Sequence, residues 1–437
     1  MARTPSPTNI SLKLQRIAKL ASEAPQLAFT TLAHHIDMDL LREAYRRTRK
    51  DAAAGIDGRT GTEYATNLEA NLQSLLDRVK SGNYQAPPVR RVHIPKGDGS
   101  RTRPIGVPTF EDKVLQRAVV MILEPIYEQD FMVWSYGFRP GRSQHQALRA
   151  TWMGLMRMHG GWVLEVDIKS FFDELDHDHL RGFVRQRVRD GVLLRLLGKW
   201  LNAGVLEDGV VTASEKGTPQ GGVVSPLLAN IYLHEVFDRW FEDEVRPRMR
   251  GRTYVVRFAD DIMLTLERED DARRVMAVLG KRFARFGLRL HPQKTRMVEF
   301  RQPRRSQQRR GPGQGSFDLL GFTHYWARSR RGTWVVKRRT ARDRLRRAVR
   351  ELGRWCRSNR HLPIAVQHRL LSKKVQGHYA YYGITGNWHA LGRLRRLAER
   401  GWQRWLHRRS QRGMTWEQFY RLLERYPLPK PRIVHQV

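Results

Sequence analysis

Residues 253–267 read TYVVRFADDIMLTLE, two β-favouring apolar runs separated by a pair of aspartates. Such a segment folds most simply as a hairpin with Asp260 and Asp261 at its tip. Adjacent carboxylates repel, so the tip is costly without a cation beside it. Taken alone, it reads more readily as an ordinary exposed Asp-Asp turn. A third acid changes the balance: Asp167 ends another apolar run at 162–166. If the two segments pair, three carboxylates converge, as a pair of magnesium ions bridging a triphosphate and an attacking hydroxyl requires. Phe172 lies five residues beyond Asp167, and an aromatic ring there would crowd a ribose 2′-hydroxyl. On its own, Phe171-Phe172 reads as plain core.

The charge distribution narrows the partner. The 437 residues carry 80 Lys and Arg against 43 Asp and Glu, a net +37, and residues 301–437 hold 34 basic and only 6 acidic side chains. That surplus calls for a polyanion. Arginine forks grip phosphates and tryptophans offer stacking surfaces, so nucleic acid is favoured over membrane. No apolar run approaches the ~18 residues of a membrane span. One cysteine, Cys356, allows neither an internal disulfide nor a Cys-paired zinc site and suits a reducing cytosol.

Along the chain, residues 1–10 are poor in apolar groups and read as a lead-in without a secretory signal. Helical spacing appears at 36–49, 67–80 and 111–127. Residues 87–109 alternate as strands around a Gly-Asp-Gly turn. A buried strand at 161–172 leads into a long helical stretch to about 202. The loop KGTPQGG (216–222) and a helix from 225 to about 241 precede the hairpin, and residues 273–286 read as a further helix before a strand at 291–300. Residues 301–316 form a flexible basic loop. After the apolar strand 317–322 the chain reads as mostly helical, with stripes at Leu345, Ala348, Val349, Leu352 and Trp355, and at Leu391, Leu394, Leu397, Trp402 and Trp405.

With these segments in view, the chain resembles the reverse transcriptase/maturases encoded by group II introns. The matching segments stand in the family's order: RTRPIGVPTFEDKVLQ (101–116), SYGFRPGRSQHQAL (135–148), VDIKSFFDELDH (166–177), GTPQGGVVSPLLANIYLHEVFD (217–238), RFADD (257–261), GLRLHPQKT (287–295) and LLGF (319–322). YYGITGNWHAL (381–391) and RRSQRGMTWEQFYRLLERYPLPKPRI (408–433) look like the family's thumb and RNA-binding maturase region.

The resemblance implies an α+β right-hand polymerase: fingers and a palm built on an antiparallel sheet flanked by helices, then an α-helical thumb/maturase domain. The expected division is a lead-in at 1–35, fingers and palm at 36–326, and the helical domain at 327–437. Asp167, Asp260 and Asp261 would form the catalytic and metal-binding cluster for two Mg2+ ions. Lys96, Arg101 and Arg103 would grip the incoming deoxynucleoside triphosphate. Gln220 would sit by its sugar and the template, Phe172 would sense the sugar, and Lys294 would add positive charge near the phosphates. Leu320 and Gly321 would belong to the primer-holding turn.

The implied activity is RNA-directed DNA polymerisation joined to intron RNA binding, splicing and mobility. Its partners would be intron RNA, an RNA template, a DNA primer or target and dNTPs, without membrane or zinc. The implied setting is the bacterial cytosol, as a ribonucleoprotein, with nucleoid DNA engaged during mobility.

Two departures stand out: Phe258 replaces the Tyr that commonly opens the catalytic tetrad, and the single cysteine matches the form lacking a C-terminal HNH nuclease domain. Other readings are a splicing maturase without polymerase activity, a reverse transcriptase taken over for phage defence or repair, and an RNA-dependent RNA polymerase, which Phe172 disfavours.

Overall fold

The computed structural model describes residues 7–95, 102–207, 209–212, 216–218, 220–303, 315–409 and 411–436. In chain order, helices α1 (Pro7–Glu23), α2 (Met38–Arg47), α3 (Gly61–Ala65) and α4 (Leu68–Lys80) lead to strands β1 (Val89–Pro95) and β2 (Thr102–Val107). Helices α5 (Phe110–Asp130) and α6 (Gln144–Arg157) precede β3 (Trp162–Val166). Then come α7 (His177–Arg187), α8 (Gly191–Leu201), β4 (Val205–Glu207), β5 (Val210–Thr212) and α9 (Ser225–Leu233). The hairpin β6 (Thr253–Phe258) and β7 (Asp261–Leu266) is followed by α10 (Glu269–Ala284) and β8 (Arg296–Glu299). Strands β9 (Ser316–Leu319), β10 (Phe322–Arg328) and β11 (Trp334–Thr340) complete the mixed α+β part, and α11 (Arg342–Ser358), α12 (Ile364–Tyr382), α13 (Trp388–His407) and α14 (Trp416–Arg425) form a helical C-terminal region.

The central sheet has the order β6-β7-β3-β8 and is antiparallel throughout. Because strand side chains alternate, its two faces feed separate cores. Leu164, Val166, Ile262 and Leu264 join the large cluster built on α5, α9 and α10. Val163, Val256 and Met263 face Phe300, Phe317 and Trp326 on the other side. A helix at the centre of such a layer has no solvent face, and α5 is accordingly buried along most of its length, starting from Thr109, whose hydroxyl accepts from the Asp112 amide. A second sheet, β2-β1-β4-β5, lies towards the N-terminal helices, and a third, β11-β10-β9, leads into the C-terminal region. There Leu352, Leu371, Val375, Leu391, Leu394 and Trp402 make a separate core.

Three expectations are corrected. The helix α1 begins at Pro7, inside the stretch read as a lead-in, because Ile10, Ile17 and Ala21 are buried against the first core. Residues 322–340 are a β-hairpin rather than helix, straddling the boundary drawn at 326/327. The stripe on α13 is centred on Leu391, Leu394, Ala398, Trp402 and Leu406, since a 3.6-residue period carries Leu397 and Trp405 to its half-buried margin. The basic loop at 304–314 lies outside the described residues.

Candidate active site

The register of the central sheet assembles the acids. Val166 pairs with Ile262 and Phe258 with Asp261, so Asp167 leaves β3 beside the start of β7. Only Ala259 and Asp260 join β6 to β7, and Ala259 takes the left-handed φ of 56°. A non-glycine residue there is strained and must be held by its surroundings. The holding group is Arg257, wholly buried: its Nη1 donates to the Ala259 carbonyl at 3.1 Å and to Asn230 Oδ1 at 2.9 Å, while Nε donates to Asp238 Oδ1 at 2.8 Å. Gly137 packs directly on the Ala259 backbone, where a Cβ would collide with the Ala259 amide. Sequence reasoning missed Arg257, since a charge in a strand reads as solvent-facing.

The carboxylates perturb one another. Burial first, then the Asp167 charge, pushes Asp260 upward, opposed by its own backbone hydrogen bond and by Arg103 and Lys294. Burial, then Asp260 and Asp167, pushes Asp261 up to about 6, against Arg344 and Lys294. Asp261 nonetheless opens to the cleft, and water there screens part of the effect. Lys294 Nζ bonds both oxygens of Asp167, at 3.0 and 3.2 Å. Asp167 is further fixed through its backbone, its amide donating to Thr295 Oγ1 and its carbonyl accepting from the His291 amide at 2.8 Å.

Among the described residues, no three His, Cys, Asp or Glu side chains stand as a preformed metal-ligand cluster. The donor chemistry still fits a hard divalent cation: the Asp167 charge raises the proton affinity of Asp260 and Asp261, Asp260 raises that of Asp261 further, and an ammonium pairs with Asp167.

The remaining expected residues fall into two groups. Arg103, exposed on β2, lies close enough to lower the Asp260 pKa, so it joins the acids electrostatically. Leu320 and Gly321 form the two-residue turn between β9 and β10, with φ of 49° and 80°. Such a turn is awkward for Leu, and Tyr381 Oη donates to the Leu320 carbonyl at 2.9 Å while the Ala341 amide donates to Gly321. Both turn residues line the cleft with Asp167, Asp261 and Lys294, a cavity of about 640 Å³.

Phe172 and Gln220 lie outside that lining. The Phe172 ring packs edge-on against Phe171 at 5.4 Å, and its carbonyl accepts from the Thr218 amide at 2.8 Å. The Gln220 carbonyl accepts from Gly106 at 2.7 Å and so ties the Gly-rich loop to the strand bearing Arg103. Gly221, at φ 126°, could carry no Cβ without meeting the Gly106 carbonyl. Lys96 and Arg101 lie outside the described residues. The cleft also holds Arg344, Tyr381 and Tyr382 from the C-terminal region, which sequence reasoning did not single out. The nearest signal was the Tyr381-Tyr382 pair at the head of YYGITGNWHAL.

No helix among the described residues is long and apolar enough to cross a membrane. Comparison with known proteins accords with the geometry. The family described as reverse transcriptase (RNA-dependent DNA polymerase) matches residues 94–324, more than half of the chain. Protein YkfC of Escherichia coli (strain K12) is 38% identical over 293 residues, covering 60% of this chain and 72% of that protein. The group II intron-encoded protein LtrA of Lactococcus lactis subsp. cremoris is 36% identical over 282 residues, covering 62% of this chain and 46% of LtrA, so this chain spans under half of that relative's length. The mitochondrial nuclear intron maturase 2 of Arabidopsis thaliana is 28% identical over 183 residues, 32% of this chain and 24% of that protein. With its acids, hairpin and glycine-rich loop lying within the matched segment, the chain belongs to the reverse transcriptase (RNA-dependent DNA polymerase) family.

Proposed function

We propose that the chain is an RNA-directed DNA polymerase that extends a DNA 3′-hydroxyl along an RNA template and also binds a group II intron RNA, aiding its splicing and mobility. The observation that supports the polymerase reading is that Asp167 and Asp261 line one cleft with Lys294, while Asp260, next to Asp261 in the turn, is close enough to feel the charges of Asp167, Arg103 and Lys294. The three aspartates would hold two magnesium ions. When bound, such a pair neutralises phosphate charge and favours in-line attack of a hydroxyl on the α-phosphate, with pyrophosphate leaving.

The protein's own groups do the positioning. Arg103 and Lys294 would offset triphosphate charge, with Lys96 and Arg101 proposed as further cations in the same role. Gln220 would lie between sugar and template, in a loop whose glycines permit close backbone approach. Phe172 would select against a 2′-hydroxyl, and the braced Leu320-Gly321 turn would seat the primer end. The proposed substrates are therefore dNTPs, an RNA template and a DNA primer.

For the RNA-binding role, the strong basic surplus of the last third supports backbone recognition of folded RNA. We divide the chain into an N-terminal segment (1–35), fingers and palm (36–326) and an RNA-binding thumb/maturase region (327–437), and place its work in the bacterial cytosol. The test is primer extension on an RNA template with magnesium and dNTPs, comparing the chain with its Asp260→Ala variant. Synthesis lost in the variant supports the reading. A folded, RNA-binding protein that makes no DNA would instead favour a maturase without polymerase activity.

A further inference from the structure

A second cavity, of about 530 Å³, opens between α11 and α12 and shares no lining residue with the reaction cleft. Its apolar floor is Leu352, and one wall is the half-buried ring of Trp355, with Lys374 Nζ 5.8 Å from the ring centroid. At the far end stands His378, whose Nε2 is buried and makes no hydrogen bond among the described residues. Burial lowers the His378 pKa to about 4, so near neutral pH the imidazole is uncharged and one ring nitrogen is free to accept while the other donates. Asn359 borders the opening, its side-chain amide donating to the Trp355 carbonyl at 2.9 Å.

The combination is specific in shape. A flat aromatic wall with a cation beside it suits a flat π-system, and a buried unpartnered ring nitrogen suits a ligand with a polar edge. The same helix α11 carries seven arginines in seventeen residues, and of these Arg354 lines the opening beside Glu351, its ion-pair partner at 3.1 Å, so basic charge for a phosphate lies at and around the mouth. An apolar peptide would gain nothing from those arginines, and a simple anion would not need the tryptophan.

We propose that this cavity receives an unpaired nucleobase of structured RNA, its face against Trp355 and its hydrogen-bonding edge at His378 Nε2. The inference rests on the RNA-binding reading of the C-terminal region and adds to it a defined base-sized site. The site also abuts the reaction cleft: His378 stacks on Tyr382 at 4.4 Å, and the Tyr382 hydroxyl borders Gly321. RNA captured by one extruded base is thereby anchored two side chains, His378 and Tyr382, away from the proposed primer-seating turn.

The experiment measures affinity of the full chain for three stem RNAs of equal length: fully paired, with one unpaired nucleotide bulged from the stem, and with that nucleotide made abasic. The expected result is about tenfold tighter binding of the bulged stem than of the other two, in keeping with one base stacked on an aromatic ring. In Trp355→Leu this preference falls to within about twofold, the paired stem serving as the internal reference. His378→Phe, which keeps a ring on Tyr382 but removes the nitrogen, weakens the preference while leaving part of it. If Trp355→Leu fails to fold, 4-thiouridine placed in the bulge should crosslink to peptides from α11 or α12 of the unmodified chain.

Equal affinity for the three stems, a preference that survives both variants, or crosslinks confined to other segments would overturn the site. Failure to bind any of the stems at low salt would overturn the RNA-binding reading as well, so the two failures are distinguishable.

Discussion

Arg257 and Asp238 form a two-pronged ion pair with both side chains wholly shielded from solvent, Nε to Oδ1 at 2.8 Å and Nη2 to Oδ2 at 2.5 Å. Its place beneath the Ala259–Asp260 turn makes it a support for the acids above it. Removing one partner leaves a buried charge uncompensated, which typically costs about 3–5 kcal/mol. Arg257→Ala and Asp238→Ala should each lower unfolding stability by that order in a denaturant titration. Arg257→Lys should recover little, because a single ammonium cannot reproduce the fork that reaches Asp238, Asn230 and the Ala259 carbonyl together. A lysine variant of wild-type stability would remove Arg257 from this role.

RNA binding and DNA synthesis should separate. Asp260→Ala deletes one carboxylate from a surface of net +37, so affinity for RNA should stay within a few fold while primer extension disappears. In both proteins the affinity should fall by about a thousandfold or more between 50 and 200 mM salt if six or more phosphates are engaged. A flat salt response would mean that the basic surplus is not used for binding, and parallel loss of both functions in the variant would deny the separation.

Replacing Phe172 by Val should raise the ratio of ribonucleotide to deoxynucleotide incorporation. The residue holds the glycine-rich loop through its backbone carbonyl, which the substitution keeps, so the loop's anchor at Thr218 should survive. The measurement is competitive incorporation on one template. An unchanged ratio would leave the ring as core packing alone.

Stability should also depend on a histidine that does not line the cleft. His324 is fully buried, stacked on Phe317 at 4.7 Å and paired across the β10–β11 ladder with Arg338. Burial, then the Arg338 charge, depresses its pKa from 6.5 to about 3. The unfolded chain takes up this proton first, so the neutral ring stabilises the fold fully above about pH 6.5, and that contribution is lost progressively as pH falls towards 3. By about pH 4.5 the loss should approach 3 kcal/mol. Denaturant midpoints at several pH values should show a slope over this range that His324→Leu reduces; an identical slope in the variant would assign the acid sensitivity elsewhere.

The site was legible in the sequence wherever local pattern carried the information. Two apolar β-favouring runs around Asp260-Asp261 and a third ending at Asp167 sufficed for three strands, while the pairing that brings the acids together stood as a condition that the β3–β7 ladder meets. Lys294 and the Leu320-Gly321 turn were named through the family resemblance, and both line the cleft with Asp167 and Asp261. What escaped was contributed from a distance or against type. Arg344 and Tyr382 reach the cleft from helices more than seventy residues beyond the hairpin, and no periodicity announces that. Strand β11, WVVKRRT, hides its alternation behind three consecutive basic residues, of which the middle one, Arg338, points inward.

The ladder that joins β3 to β7 implies a sharp asymmetry in how length changes are tolerated. Sliding either strand by one position would turn each side chain to the opposite face. Leu164 and Val166 would exchange cores with Val163, and Asp167 would no longer emerge opposite Asp261. A one-residue insertion within 253–266 is therefore an all-or-nothing event, whereas the same insertion in a surface connection need cost only a few tenths of a kcal/mol. Variation in length among relatives, or introduced by design, should accumulate in those connections and halt abruptly at the hairpin's edges.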